Sequence, residues 1–354
     1  MKITLLSVAV ICSSIIANSQ VMDNTNTSIA PIEQLSLTQE WDKTFPKSDK
    51  VDHKKVTFIN RYGITIAADM YTPKNAAGKL SAIAVSGPFG AVKEQSSGLY
   101  AQQLAERGFL AIAFDPSFTG ESGGIPRRVA SPDINTEDFS AAVDFLSVQE
   151  NVDAEKIGIL GICGWGGFSI SAAANDPRIK ATVASTMYDI CRVTSNGYYD
   201  ANNSAESRNE MIKQMARQRT EDYRNGKYTR GGGVVDPLPD DAPEFVKRYY
   251  DYYKTPRGFH PRSGNSTDGW NVTSSFPFIN FTLLDRASEI ESAVMVLHGD
   301  RAHSLYFGKD AFKKLKGDNK QLLIVNDADH TDLYDNLDKI PFDEIAAFYK
   351  SNLK

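Results

Sequence analysis

The chain has 354 residues, 41% of them hydrophobic, with 39 basic and 44 acidic side chains and a net charge of -5. That is enough apolar material for one large α/β domain carrying an insertion, or for two domains. The acidic balance and the lack of a basic run argue against nucleic acid as a partner, and three cysteines are too few for a disulfide framework.

Residues 1–19 read as a cleaved export signal. Lys2 gives a positive start, an apolar run follows from Ile3 to Ala17, and Ala17 and Ser19 place small residues where a signal peptidase reads. The mature chain is expected to begin near Gln20 and to be periplasmic or secreted. Cys12 lies inside the signal, preceded by Ile11 where a lipoprotein signal needs a small residue. The run is short for a membrane span and no second one occurs, so no span is expected after cleavage. Residues 20–50 are polar and aperiodic, and are expected to form a linker or a surface-hugging arm.

From there strand and helix signals alternate. Val51–Asn60 and Ile64–Tyr71 flank Arg61-Tyr62-Gly63 as a hairpin. Ser81–Ser86 is a short buried strand, and Leu99–Arg107 a helix closed by Gly108. Phe109–Phe114 is a strand, Thr136–Gln149 a helix, Ile157–Ile162 a strand, Phe168–Ala174 a helix and Ala181–Ser185 a strand. The alternation stops between 194 and 291, a block rich in Gly, Pro and aromatics, with helices expected only at Ser204–Arg224 and Pro243–Tyr253. It resumes with the strand Val294–Leu297, a helix over Tyr306–Leu315, the strand Gln321–Val325 and a helix over Phe342–Ser351. Buried strands alternating with helices predict a mostly parallel sheet covered on both faces. Its core is expected over 51–193 and 292–354, with 194–291 as a lid over the strands' carboxyl ends, where open α/β sheets bind ligands.

The apolar strand Ile157–Ile162 runs into Cys163-Gly164-Trp165-Gly166-Gly167 and then a helix. A nucleophile elbow has this layout, because a sharp strand-to-helix turn around a reactive side chain needs glycines beside it. A thiol at a helix N-terminus is also expected to have a lowered pKa. His330, after the last strand, is the expected general base. One oxyanion N–H is expected from Gly164; the other from Phe89, since Pro88 has none. Asp300, the only carboxylate on the turn after Val294–Leu297, is the expected acid partner of His330, with Asp189 and Asp332 as alternatives. His298 and His303 are expected to be structural or substrate-facing. No metal-ligand spacing occurs, and neither metal nor cofactor is expected.

With these residues in view, Val51–Ala184 together with Val294–Tyr334 resembles the α/β-hydrolase superfamily. The Gly161-Ile162-Cys163 elbow resembles the dienelactone-hydrolase-like branch, whose nucleophile is cysteine. The Pro88-Phe89 turn and the Asp115–Gly124 loop are similar to those of X-prolyl peptidases and cocaine-esterase relatives. The resemblance implies an α/β-hydrolase fold with a large lid. Dienelactone hydrolases carry a glutamate on the turn that here reads Ser86-Gly87-Pro88, leaving nearby Glu94 as the candidate substitute. Trp165 stands where a small residue is usual and is expected to narrow the pocket, and Phe89 stands where esterase relatives carry tyrosine.

The expected activity is hydrolysis of an ester, lactone or thioester, or transfer of its acyl group, by Cys163, His330 and Asp300. Trp165, Tyr249 and Tyr252 are expected to contact a small acyl, aryl or cyclic substrate. A prolyl-type exopeptidase, its peptide amine held by the acidic segment Asp236–Glu244, is one rival. A non-catalytic binding protein with Cys163 and Cys191 joined as a disulfide is the other.

Overall fold

Apolar, β-rich stretches separated by capped helical stretches give the observed order of elements. The computed structural model describes residues 33–354. Strands β1 (Val51–Ile59) and β2 (Thr65–Pro73) form the expected hairpin, followed by β3 (Leu80–Ser86), α1 (Ser96–Glu106), β4 (Leu110–Phe114) and α2 (Pro132–Ser147). Then come β5 (Val152–Ile162), α3 (Gly164–Asn175), β6 (Ile179–Ser185) and α4 (Ile190–Asn196). The insertion contains α5 (Ala205–Asn225), α6 (Glu244–Lys254) and a 3-10 segment over Val272–Asn280. The chain returns through β7 (Ala293–Gly299), α7 (Leu305–Lys314), β8 (Lys320–Val325), α8 (Asp332–Asp335) and α9 (Phe342–Asn352). The short α4 and α8 are not among the helices expected from the sequence.

All eight strands join one sheet in the order β1-β2-β4-β3-β5-β6-β7-β8. The first two are antiparallel, and β3 to β8 run parallel. Burial explains the order. Strands β4 and β7 are buried along their whole length and sit inside the sheet, whereas β1 alternates buried and exposed positions at an edge. Each face carries its own apolar core, one around Tyr100, Leu104 and Tyr349, the other around Phe139, Trp165 and Phe168. Among the described residues no helix is long and apolar enough to cross a membrane.

The export signal expected at 1–19 and the first part of the arm lie outside the described residues. From residue 33 the arm is docked on the body. Phe45 enters the core, and Lys43 pairs with Asp69 at 2.6 Å with both side chains fully buried. The insertion is tied to the core as well. Arg262 reaches Asp42 of the arm at 2.6 Å and Glu94 at 2.8 Å.

Candidate active site

Cys163 sits where the sequence pattern places it, at the junction of β5 and α3, with φ 58° and ψ -125°. A non-glycine residue rarely adopts positive φ, and the conformation persists only where neighbours hold it. Here the Cys163 carbonyl accepts from Gly166 N at 2.9 Å and Tyr188 N at 2.8 Å, while its N–H donates to Ser185 O at 2.9 Å. The glycines make room: a Cβ on Gly161 would stand 2.0 Å from the Trp165 carbonyl oxygen, and one on Gly164 would stand 2.8 Å from the Phe89 Cβ. The second contact brings the turn after β3 against the helix start. The Phe89 turn and the Gly164 helix start therefore lie together beside the Cys163 thiol, with the Tyr334 hydroxyl near it.

The insertion fixes that turn. Asn265 Nδ2 donates to the Phe89 carbonyl at 2.8 Å, and Gly90 O accepts from Asn265 N at 3.0 Å and from Ser263 Oγ at 2.9 Å. Neither Asn265 nor Ser263 stands in a recognisable motif, so only the fold reveals them.

Burial decides the protonation states. It pushes the Cys163 thiol above its ordinary value, although the neighbouring Tyr334, Gly164 and Phe89 act the other way. The thiolate expected from the helix N-terminus is therefore not the resting form. Desolvation of the ion outweighs the partial charges of the turn. Burial, reinforced by His303 and His298, also holds His330 well below the usual imidazole range, so the ring is neutral at pH 7.

His330 is held by hydroxyls. Its Nδ1 lies 2.6 Å from Ser304 Oγ and 2.9 Å from Thr186 Oγ1, and its Nε2 lies 3.0 Å from the Tyr334 hydroxyl. Thr186 also donates to the His330 carbonyl at 3.4 Å, which leaves its lone pairs to accept an Nδ1 proton. That tautomer leaves Nε2 unprotonated, an acceptor for the Tyr334 hydroxyl. Thr186 is β-branched yet has φ 42°, a strained conformation that aims its hydroxyl at the ring.

The carboxylates proposed as acid partner are elsewhere. Asp300 is exposed and accepts from Ala328 N at 3.3 Å. Asp189 caps α4 through Arg192 N at 3.0 Å, and Asp332 accepts from Asp329 N at 2.7 Å. Position 300 follows β7 immediately, one turn short of the point facing Nδ1, which Ser304 occupies. Substituting alanine for Ser304 is expected to lower kcat by about 10- to 100-fold through loss of ring orientation, with KM little changed. The Asp300→Asn variant should stay within about twofold of wild type. Steady-state kinetics on both variants check this, and the reverse ranking would restore Asp300.

Of the three substrate contacts expected, one reaches the site. Tyr249 of α6 stands with its ring 5.5 Å from that of His330, and its hydroxyl lies 3.1 Å from that of Tyr188. Trp165 instead points into the core, ringed edge-on by Phe114, Phe139 and Phe168, because α3 turns its side chain under the sheet. Tyr252 is buried behind Tyr334, its ring 4.9 Å away. His298 is structural, with Nε2 3.2 Å from Met187 O, whereas His303 stacks on Phe245 at 4.4 Å and faces the site. A cavity of about 200 Å³ lined by His330, His303, Tyr249 and Thr331 opens between Arg248 and Arg301. On the far side of Phe89, Trp270, Phe278 and Val272 line an apolar cavity of about 230 Å³.

Glu94 takes no part in thiol control. With Asp115 and Glu121 it forms an acidic group of metal-ligand size, but the Lys93 ammonium stands in its centre, 2.7, 2.8 and 2.6 Å from the three carboxylates. Cys163 and Cys191 are both free thiols, which removes the disulfide on which the non-catalytic reading depended.

Comparison with known proteins agrees with the fold. An uncharacterized protein of Pseudomonas aeruginosa, PA2218, is 55% identical over 322 residues, 90% of this chain and 86% of that one. Its crystal structure superposes with a TM-score of 0.88, covering 90% of this chain and 99% of that chain. The thiohydrolase aneE of Aspergillus aculeatus is 26% identical over 66% of each chain. The α/β hydrolase GrgF of Penicillium sp. sh18 is 17% identical, with a TM-score of 0.70 over 85% of this chain and 99% of that chain, and shares the fold. Residues 62–332 match the family described as X-Pro dipeptidyl-peptidase (S15 family), so this chain is an α/β-hydrolase-fold protein belonging to that family.

Proposed function

We propose that the protein is a cysteine hydrolase or acyl transferase that opens an ester, lactone or thioester through an acyl-enzyme on Cys163. The observation that carries this reading is the strained strand–helix elbow at Cys163, with the turn that carries Phe89 packed against Gly164 beside it. Donors placed there meet the oxyanion as the carbonyl is attacked, and they need no reorganisation when its charge develops. In the proposed sequence the sulfur attacks the carbonyl carbon, its proton goes to His330 Nε2, and the imidazolium returns that proton to the leaving oxygen or sulfur. Ser304 and Thr186 hold the ring so that Nε2 faces the reaction.

The same geometry favours activated acyl groups over peptides. An amide leaving group needs strong protonation, and an imidazolium held by hydroxyls lacks the carboxylate that would stabilise it. A peptidase of the X-Pro type also needs a carboxylate for the peptide amine. The two that line the cavity over His330 are already paired, Glu244 with Arg248 at 3.0 Å and Asp329 with Arg248 at 3.5 Å and Arg301 at 3.4 Å. The positive start, apolar run and small residues of positions 1–19 support placing the activity outside the cytoplasm.

Exposure to a panel of activated esters, lactones and thioesters, followed by intact-mass analysis, tests the reading. An acyl adduct on Cys163 is expected, and hydrolysis should exceed that of aminoacyl-prolyl amides. Because His330 titrates well below the usual imidazole range and the thiol above its ordinary value, kcat/KM should be flat from about pH 6 to 8. Rapid prolyl-amide cleavage with no adduct at Cys163 would overturn the proposal.

A further inference from the structure

The elbow and the base do not meet directly in this structure: the hydrogen-bond partners of the His330 ring are Thr186, Ser304 and Tyr334. The Tyr334 hydroxyl stands 3.0 Å from Nε2 and next to the Cys163 thiol. Its place follows from the chain. His330 and Tyr334 are four residues apart, and the single turn closed by Tyr334 N to Thr331 O at 3.1 Å puts both side chains on one face.

Resting on the cysteine reading above, we propose that Tyr334 is a catalytic residue, the hydroxyl through which the proton passes from Cys163 to His330. The thiol S–H donates to the tyrosine oxygen while the tyrosine O–H donates to Nε2. As the S–H bond breaks a new O–H bond forms, and as the original O–H bond breaks an N–H bond forms. Tyr334 ends neutral, sulfur carries the electron pair into attack, and His330 becomes imidazolium. The return of the proton to the leaving group runs from Nε2.

A gate that swings away would need room, and this side chain has none. Tyr334 is fully buried, its ring wedged between Tyr252 at 4.9 Å, Tyr253 at 6.3 Å and the His330 ring at 5.3 Å. Its backbone is pinned next door, where the Tyr100 hydroxyl donates to the Leu333 carbonyl at 2.7 Å and meets Ser185 Oγ at 3.0 Å. The relay also fits the neutral states of its ends. A buried thiol and a buried imidazole exchange a proton through one fixed hydroxyl without a solvent-exposed ion forming.

The test is single-turnover acylation by 4-nitrophenyl acetate, followed in wild type, Tyr334→Phe and Cys163→Ala. Phenylalanine keeps the ring packing and removes only the hydroxyl. The acylation rate of Tyr334→Phe should fall at least about 100-fold with apparent substrate affinity within about threefold. In mixtures of light and heavy water the wild-type acylation rate should follow a bowed curve, as two protons move together. A Tyr334→Phe rate within threefold of wild type, or a linear wild-type curve, overturns the relay. The wild-type curve decides the matter even if the variant folds poorly. Full acylation of the Cys163→Ala protein would instead remove the cysteine reading itself, which keeps the two failures distinct.

Discussion

The Cys163→Ala protein is expected to lose turnover by about 10³-fold or more while remaining folded, the scale seen when the nucleophile of such a unit is removed. The loss falls on kcat, because sulfur is needed for the covalent step and contributes little to holding the substrate. Stability should change by only about 1 kcal/mol, the cost of one missing sulfur in a well-packed site. The comparison with glycine is more revealing. Cys163 has φ 58°, and alanine keeps the Cβ that makes this conformation strained. Glycine removes it, so the Cys163→Gly protein should be more stable than the alanine variant by about 1 kcal/mol and equally inactive. Urea titration of the two variants measures the difference directly. If alanine proved the more stable, the elbow would not be holding strain for the nucleophile. Hydrolysis of the ester panel at the wild-type rate by either variant would remove Cys163 from the chemistry.

Lys93→Met should produce the largest loss of stability outside the reaction centre, about 3–5 kcal/mol. The Lys93 side chain is wholly buried and its ammonium meets Glu94, Asp115 and Glu121 within 2.8 Å. Burial alone would raise both Glu94 and Glu121. The surrounding Lys93, Arg262 and Lys55 hold Glu94 well below the carboxylate range, and Lys93 with Lys55 brings Glu121 down to about 2. In wild type these two groups add stability that is complete above about pH 4.5, the unfolded carboxylate range, and is lost as pH falls towards their folded values. Methionine fills the volume but leaves the carboxylates facing one another, which drives their folded pKa values above the unfolded ones. The penalty then grows as pH rises through the carboxylate range, so the variant should be further below wild type at pH 8 than at pH 5. Urea unfolding of both proteins at the two pH values checks the sign. A loss under 1 kcal/mol at pH 8 would mean that the network relaxes or admits water. Because Arg262 belongs to the insertion and Asp42 to the arm, the same substitution should loosen both where they join the core.

Local chemistry wrote much of this protein into its sequence. Apolar runs such as Ile157–Ile162 and Val294–Leu297 could only be buried strands, and the helices between them left a parallel sheet as the way to bury both faces. Cys163 was legible because a strained turn needs Gly161 and Gly164 beside it, a requirement met within four residues. His330 was legible as the histidine after the last strand, and Phe89 because Pro88 has no N–H to offer. What surrounds these groups was decided by tertiary structure. Ser304 at the start of α7 and Thr186 just after β6 reach one imidazole nitrogen, and hydroxyls of this kind are too common in a sequence to announce themselves. Trp165 was read as a pocket residue from its place beside the nucleophile, but the direction of a side chain at a helix start depends on where the sheet lies. The thiol shows the physical reason most clearly. The helix start that lowers its pKa is local and visible in sequence, whereas the burial that raises it is the sum of everything the fold packs around Cys163, and burial prevails.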